Sequence, residues 1–156
     1  MKWVSAVMAA ILIMLSGLCA FAEHPATLGS SESSTASDLV VVKKPETKNS
    51  ATTKTTYGIT GTGKTGVSVA YYVADGDNYT LLLNSEGQAV KTQIGAAKVF
   101  YKQVSLSEGH NKFAVRAEYN GQYQITYFDI NLIKQEVIDN MNSFANDVQA
   151  IFNGWL

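Results

Sequence analysis

Through most of its length the chain alternates apolar and polar positions with a period of two, and the period changes to that of a helix only near the end. In residues 67–74, VSVAYYVA, Val67, Val69, Tyr71 and Val73 share one face and Ser68, Ala70, Tyr72 and Ala74 the other. With its β-branched and aromatic content this segment is expected to be a strand. Asp75-Gly76-Asp77 is a turn signal, and YTLLLN returns as the second arm of a hairpin. Glu86-Gly87 turns again before QAVKTQI. In KVFYKQVSL, Phe100, Val104 and Leu106 fall on one side and Lys102 interrupts the row. KFAVRAEY places Phe113, Val115, Ala117 and Tyr119 against Lys112, Ala114, Arg116 and Glu118, the pattern of a strand buried on one face only. Asn120-Gly121 is a two-residue hairpin turn leading into the long partner QYQITYFDINLI.

Ahead of these strands, DLVVVKKPE is a short β-branched run stopped by Pro45, and NSATTKTT reads as a polar connection. Residues 23–37, EHPATLGSSESSTAS, hold a single leucine among Ser, Thr, Ala and Gly, a composition expected of a flexible tether. At the other end, Val137, Met141, Phe144, Val148, Ile151 and Trp155 recur at spacings of four and three and draw an apolar stripe along a helix, which Ile138, Ala145 and Phe152 widen. Its polar positions carry Asp139, Asn142, Asn146 and Asp147 with no basic residue after Lys134, which disfavours an anionic membrane surface as its partner.

The first 22 residues change the compartment. One lysine, an uncharged apolar run from Trp3 to Leu18 and the small-x-small triplet Ala20-Phe21-Ala22 make a secretory signal peptide, with cleavage expected after Ala22. The run is shorter than the roughly 20 residues that span a bilayer. Cys19 offers a lipoprotein alternative, although Leu18 stands where a small residue usually precedes a lipidated cysteine. Cleavage removes the only cysteine, so the exported domain is expected to be held by a hydrophobic core without disulfides. It also removes Lys2 and leaves 11 basic side chains against 13 acidic ones, no field for nucleic acid.

One stretch points elsewhere. Gly58-x-x-x-x-Gly63-Lys64-Thr65 satisfies the P-loop signature, but that loop works by ending a strand and starting a helix whose amino terminus faces the phosphates. Here VSVAYYVA, a strand, follows, so no nucleotide is expected, and Gly61, Gly63 and Gly66 are read as allowing a tight turn between strands.

Pro45 after the first strand, Gly61-Thr62 before the turn at Gly66, and Leu106-Ser107-Glu108-Gly109-His110-Asn111 entering the next strand together resemble the bacterial immunoglobulin-like modules of secreted and cell-wall proteins, including those similar to the accessory domain of glucodextranases. The resemblance spans residues 38–133. The chain departs from it in having Ala117-Glu118-Tyr119 where the family has Ala-x-Asp, in the insert over residues 79–97 and in the terminal helix. What it implies is a spacer, support or binding unit without catalytic residues.

Candidate chemistry is sparse. His24 and His110 lack partners at the spacing of a triad or a zinc site. Asp75, Asp77 and Asn78 lack the further oxygens and closing glutamate of a calcium loop, so no cofactor or metal is expected. Tyrosine is abundant: core and cross-strand packing is the ordinary use, and a sugar-stacking face through Tyr71, Tyr72, Tyr79 and Tyr123 the alternative.

The expected architecture is therefore an all-β, immunoglobulin-like β-sandwich of about seven strands over residues 38–133, after a signal peptide (1–22) and tether (23–37), with a C-terminal amphipathic helix over residues 134–156. The expected role is non-enzymatic: a secreted structural or protein-interaction module at the cell envelope, or a carbohydrate-binding module. Met141, Phe144, Val148, Phe152 and Trp155 are the candidate interaction face; Ile138, Ala145 and Phe152 make it broader than a coiled-coil seam, so it is expected to fold over the chain's own sandwich in a monomer, with a homodimer through the helix as the alternative.

Overall fold

The computed structural model describes residues 24–153; the leader, Cys19 and Trp155 lie outside them. Ten strands and one helix follow in order: β1 (Thr27–Gly29), β2 (Val40–Lys44), β3 (Asn49–Thr52), β4 (Thr56–Gly63), β5 (Ser68–Asp75), β6 (Asn78–Leu81), β7 (Lys91–Gln93), β8 (Val99–Ser105), β9 (Gly109–Tyr119), β10 (Gln122–Leu132) and α1 (Gln135–Asn153). The larger sheet runs β1-β6-β5-β9-β10-β3 with β7 also on β5, and the smaller runs β2-β4-β8. The all-β sandwich with a C-terminal helix is what the alternation predicts. Two short strands, TLG and NSAT, are additional to it, and KTQ forms within the QAVKTQI segment that follows the Glu86-Gly87 turn. NSAT has no large apolar side chain, yet it pairs in parallel with residues 129–132 of β10 and so is no mere connection.

Between the sheets, Ile59, Phe100 and Val104 of the small one meet Val69, Tyr71, Phe113, Val115, Phe128 and Ile130 of the large one. Two polar side chains tie the layers. Gln124 Oε1 accepts the backbone N–H groups of Leu39 and Val40 at 2.9 and 3.1 Å, standing in for a ladder partner of β2. Asn111 accepts from Ser107 N at 2.8 Å and donates to Ser107 O at 2.7 Å, while Gly109 takes φ 83°; this is the physical content of the LSEGHN turn.

Residues 24–37 are not a tether. Leu28 is buried with Ala70, Tyr72, Tyr79, Ala114 and Ile125 in a second core on the outer face of the large sheet. Tyr72 Oη donates to Pro25 O, Tyr127 Oη donates to Gly29 O, and the N–H groups of Thr35 and Ala36 donate to Tyr123 O. The large sheet also curls, so that the Tyr79 ring of β6 lies 5.1 Å from that of Tyr127 on β10 although β5 and β9 stand between them in strand order. β9 is consequently buried on both faces from Phe113 to Ala117, not on one as its alternation with Lys112, Arg116 and Glu118 predicts. Ala70, Ala114 and Leu28 supply the apolar area, and the polar composition around Leu28 hides it from any average. Leu28→Ala is expected to destabilise the domain by about 2–4 kcal/mol. A urea midpoint unchanged by the substitution would mean that the segment is detached in solution.

The glycines of residues 58–66 divide into two uses. Gly58, Gly61 and Gly63 lie within β4, and of Gly61, Gly63 and Gly66, which were expected to turn, only Gly66, at φ 88°, does so. β5 follows after Val67, so Lys64 sits between two strands and no helix amino terminus faces it.

Candidate functional site

The outer face of the large sheet brings together the chain's most concentrated polar chemistry. β5 contributes Ser68 and β9 contributes Arg116 and Glu118, two residues apart on one face; His24 drops onto them from the N-terminal segment. His24, Ser68 and Arg116 are buried. His24 Nε2 lies 2.9 Å from Ser68 Oγ, and Arg116 Nη1 lies 3.2 Å from His24 Nδ1. Arg116 also pairs with Glu118 and lies 4.5 Å from the centre of the Tyr123 ring. A serine against a histidine invites a nucleophilic reading, but the guanidinium decides the tautomer. Arginine can only donate, so Nδ1 accepts; the neutral ring then carries its proton on Nε2 and donates it to Ser68 Oγ. In that tautomer His24 does not take a proton from Ser68, and the cluster acts as a latch holding the N-terminal segment to the sheet.

Burial, then Arg116, then Lys91 push His24 down to a pKa of about 4. In the unfolded chain the ring titrates near its ordinary 6.5. Between those values the unfolded chain binds more protons, so stability is fully present above about pH 6.5 and falls as pH drops toward 4. Wild type is expected to lose about 1–3 kcal/mol more than His24→Gln between pH 7 and pH 4.5 in paired denaturant titrations. Parallel losses in the two proteins would show that the ring is not held neutral.

The candidate tyrosines do not form a stacking face. Tyr71 lies in the core between the sheets, Tyr72 and Tyr79 are buried under the N-terminal segment, and burial raises the pKa of all three phenols. Tyr123 is half-buried beneath Arg116. The exposed tyrosine of the small sheet is Tyr101, at 59 %, whose ring lies across the backbone of Gly58. Asp129 pairs with His110 Nδ1 at 2.9 Å. Asp75 and Asp77 sit at the β5–β6 turn, and among the described residues no three His, Cys, Asp or Glu side chains stand together.

The helix is the remaining feature. α1 spans 19 residues and none of them is buried. Met141 is 63 % exposed and Phe144 and Phe152 are each 70 % exposed, while Val148 is half-buried. The sandwich therefore does not cover the helix, which overturns the expected return onto the chain's own sheet: the helix leaves β10 directly and stands away from both layers. A cleft of about 510 Å³ opens at its root, lined among others by Leu106, Leu132, Ile133 and Gln135. No helix among the described residues is long and apolar enough to cross a membrane.

No protein-family model matches this chain, and no curated protein matches it.

Proposed function

We propose that the chain is a secreted, non-catalytic bacterial immunoglobulin-like module that acts as a protein-interaction unit at the cell envelope. One observation carries this: a 19-residue amphipathic helix stands off a well-packed sandwich with Met141, Phe144 and Phe152 in water. Each such side chain gains about 1.5–3 kcal/mol on burial, so a partner that covers the helix is strongly favoured. Export rests on the leader sequence, and the immunoglobulin-like reading on the turn motifs at Gly66 and at residues 106–111.

The test is chemical cross-linking of the exported protein in envelope fractions. One defined protein joined to wild type and at least tenfold less to Phe144→Asp is the expected result. Equal yields from the two proteins would sink the reading. A carbohydrate-binding role is the second reading, favoured by the exposed ring of Tyr101 over Gly58. Retention on purified cell-wall glycan that Tyr101→Ala abolishes would put it first.

A further inference from the structure

Two uncovered apolar surfaces of opposite charge stand on this molecule. The first is the helix, which carries Glu136, Asp139 and Asp147 and no lysine or arginine between Gln135 and Asn153. The second is the outer face of β2-β4-β8. Val41, Val99 and Tyr101 are 54, 56 and 59 % exposed there. The register makes the patch continuous: Val41 lies opposite Thr62, Thr62 opposite Val99, and Tyr101 opposite Thr60. A groove of about 380 Å³ flanks it, lined among others by Val41, Thr62, Lys98 and the ion-paired Lys64 and Asp38. Lys43 of β2 is exposed and Lys98 immediately precedes β8, and none of the three strands holds an acidic residue; Lys102 shares the parity of the buried Phe100 and Val104, and Lys44 lies over the Tyr57 ring.

Lengths also agree. Nineteen residues of helix extend about 28 Å, and the seven residues of β8 about 24 Å, so the stripe can lie along the strand. The helix does not reach its own sheet. Its connection to β10 is Ile133 and Lys134 alone, and both are committed: Ile133 N donates to Thr52 O at 2.8 Å, Lys134 Nζ pairs with Glu108 at 3.1 Å, and Lys134 O accepts from Val137 N at 3.0 Å. No glycine between Leu132 and Asn153 offers a hinge. Pairing helix with helix would bring two sets of three acids together with no base between them.

From these observations we infer that α1 of one copy docks along the outer face of β2-β4-β8 of a second copy, in a head-to-tail contact between unlike surfaces. The inference rests on the reading of the chain as a protein-interaction module and names its partner as the same chain. Each docked pair leaves one helix and one sheet face free, so the contact is heterologous and adds further copies, in an open chain or a closed ring according to the rotation between neighbours.

The experiment uses two variants of the exported protein and light scattering. Phe144→Asp breaks the helix face and keeps the sheet; Val99→Asp breaks the sheet face and keeps the helix. Both positions are exposed, and unchanged thermal melts verify that each variant folds. Wild type is expected to gain mass with concentration and each variant alone to remain monomeric. Mixed, the two variants are expected to form a complex of two chains that grows no further, since each supplies one intact surface. Lys43→Glu is expected to weaken wild-type association at least tenfold, and Asp147→Lys to restore part of it when mixed with Lys43→Glu. Self-association of Val99→Asp alone would overturn the inference in favour of helix pairing. A wild type that stays monomeric at every concentration would also overturn it. In that case an envelope protein cross-linked through Phe144 would leave the interaction-module reading standing, and absence of both would remove the two together.

Discussion

Arg116→Met is expected to cost the domain about 3–5 kcal/mol, a large share of the ~5–15 kcal/mol that holds a domain of this size. The guanidinium is buried on the outer face of β9 and answers several groups at once. It neutralises Glu118, whose side chain is 14 % exposed, donates to His24 Nδ1, and stacks on Tyr123. Methionine fills much of the volume and offers no donor. Glu118 is then an uncompensated charge away from water, and the ring nitrogen of His24 loses its partner, which loosens the latch on residues 24–37. Denaturant unfolding at pH 7 reads the loss. The double variant Arg116→Met, Glu118→Leu is expected to recover most of it, because an apolar pair carries no desolvation cost. A single variant within about 1 kcal/mol of wild type would mean that the cluster is hydrated and the segment above it loose.

Gly61→Ala is expected to destabilise by about 3 kcal/mol, or roughly 10 °C in Tm, whereas Lys64→Ala is expected to change stability by less than about 1 kcal/mol. A methyl group on Gly61 would run into the ring of Phe100 and the carbonyl of Val41. Neither yields easily: Phe100 is buried in the core, and Val41 belongs to the β2-β4 ladder. Gly63 is constrained in the same way, with Leu39 O 2.8 Å from where its Cβ would stand. Lys64, by contrast, pairs with Asp38 at 2.5 Å with both side chains largely in water. The glycines are demanded by sheet packing and the lysine by little. A phosphate-binding loop would invert that ranking, since ligand binding would depend on Lys64. Tm values read by calorimetry decide between them, and a Gly61→Ala protein that melts with wild type would show that the two sheets have room to part.

Much of the strand plan was legible. Val67 to Ala74 and Lys112 to Tyr119 alternate over eight residues, and Asn120-Gly121 marks the hairpin that leads into β10 without ambiguity. Four things were not. NSAT became β3 because its backbone found the free edge of β10, a pairing in which its side chains have no part. Residues 24–37 became a third layer because one leucine, a histidine and a few backbone groups meet complements on β5, β9 and β10. Tyr71 went between the two sheets, and Tyr72 and Tyr79 went inside because that segment covers the outer face of the large sheet. The latch went unread for the same reason, since His24, Ser68 and Arg116 are separated by dozens of residues.

The local code, period two then period 3.6, Gly at turns and Asn-Gly at a hairpin, determined by itself that this chain is a set of strands closed by an amphipathic helix, because those preferences act between near neighbours. Which face of each strand meets water, which glycines are crowded, which histidine tautomer is held and whether the helix lies on its own sheet were decided only in the tertiary structure. Each depends on a group brought from far along the chain, and burial is a property of the assembled surface that no window of residues contains.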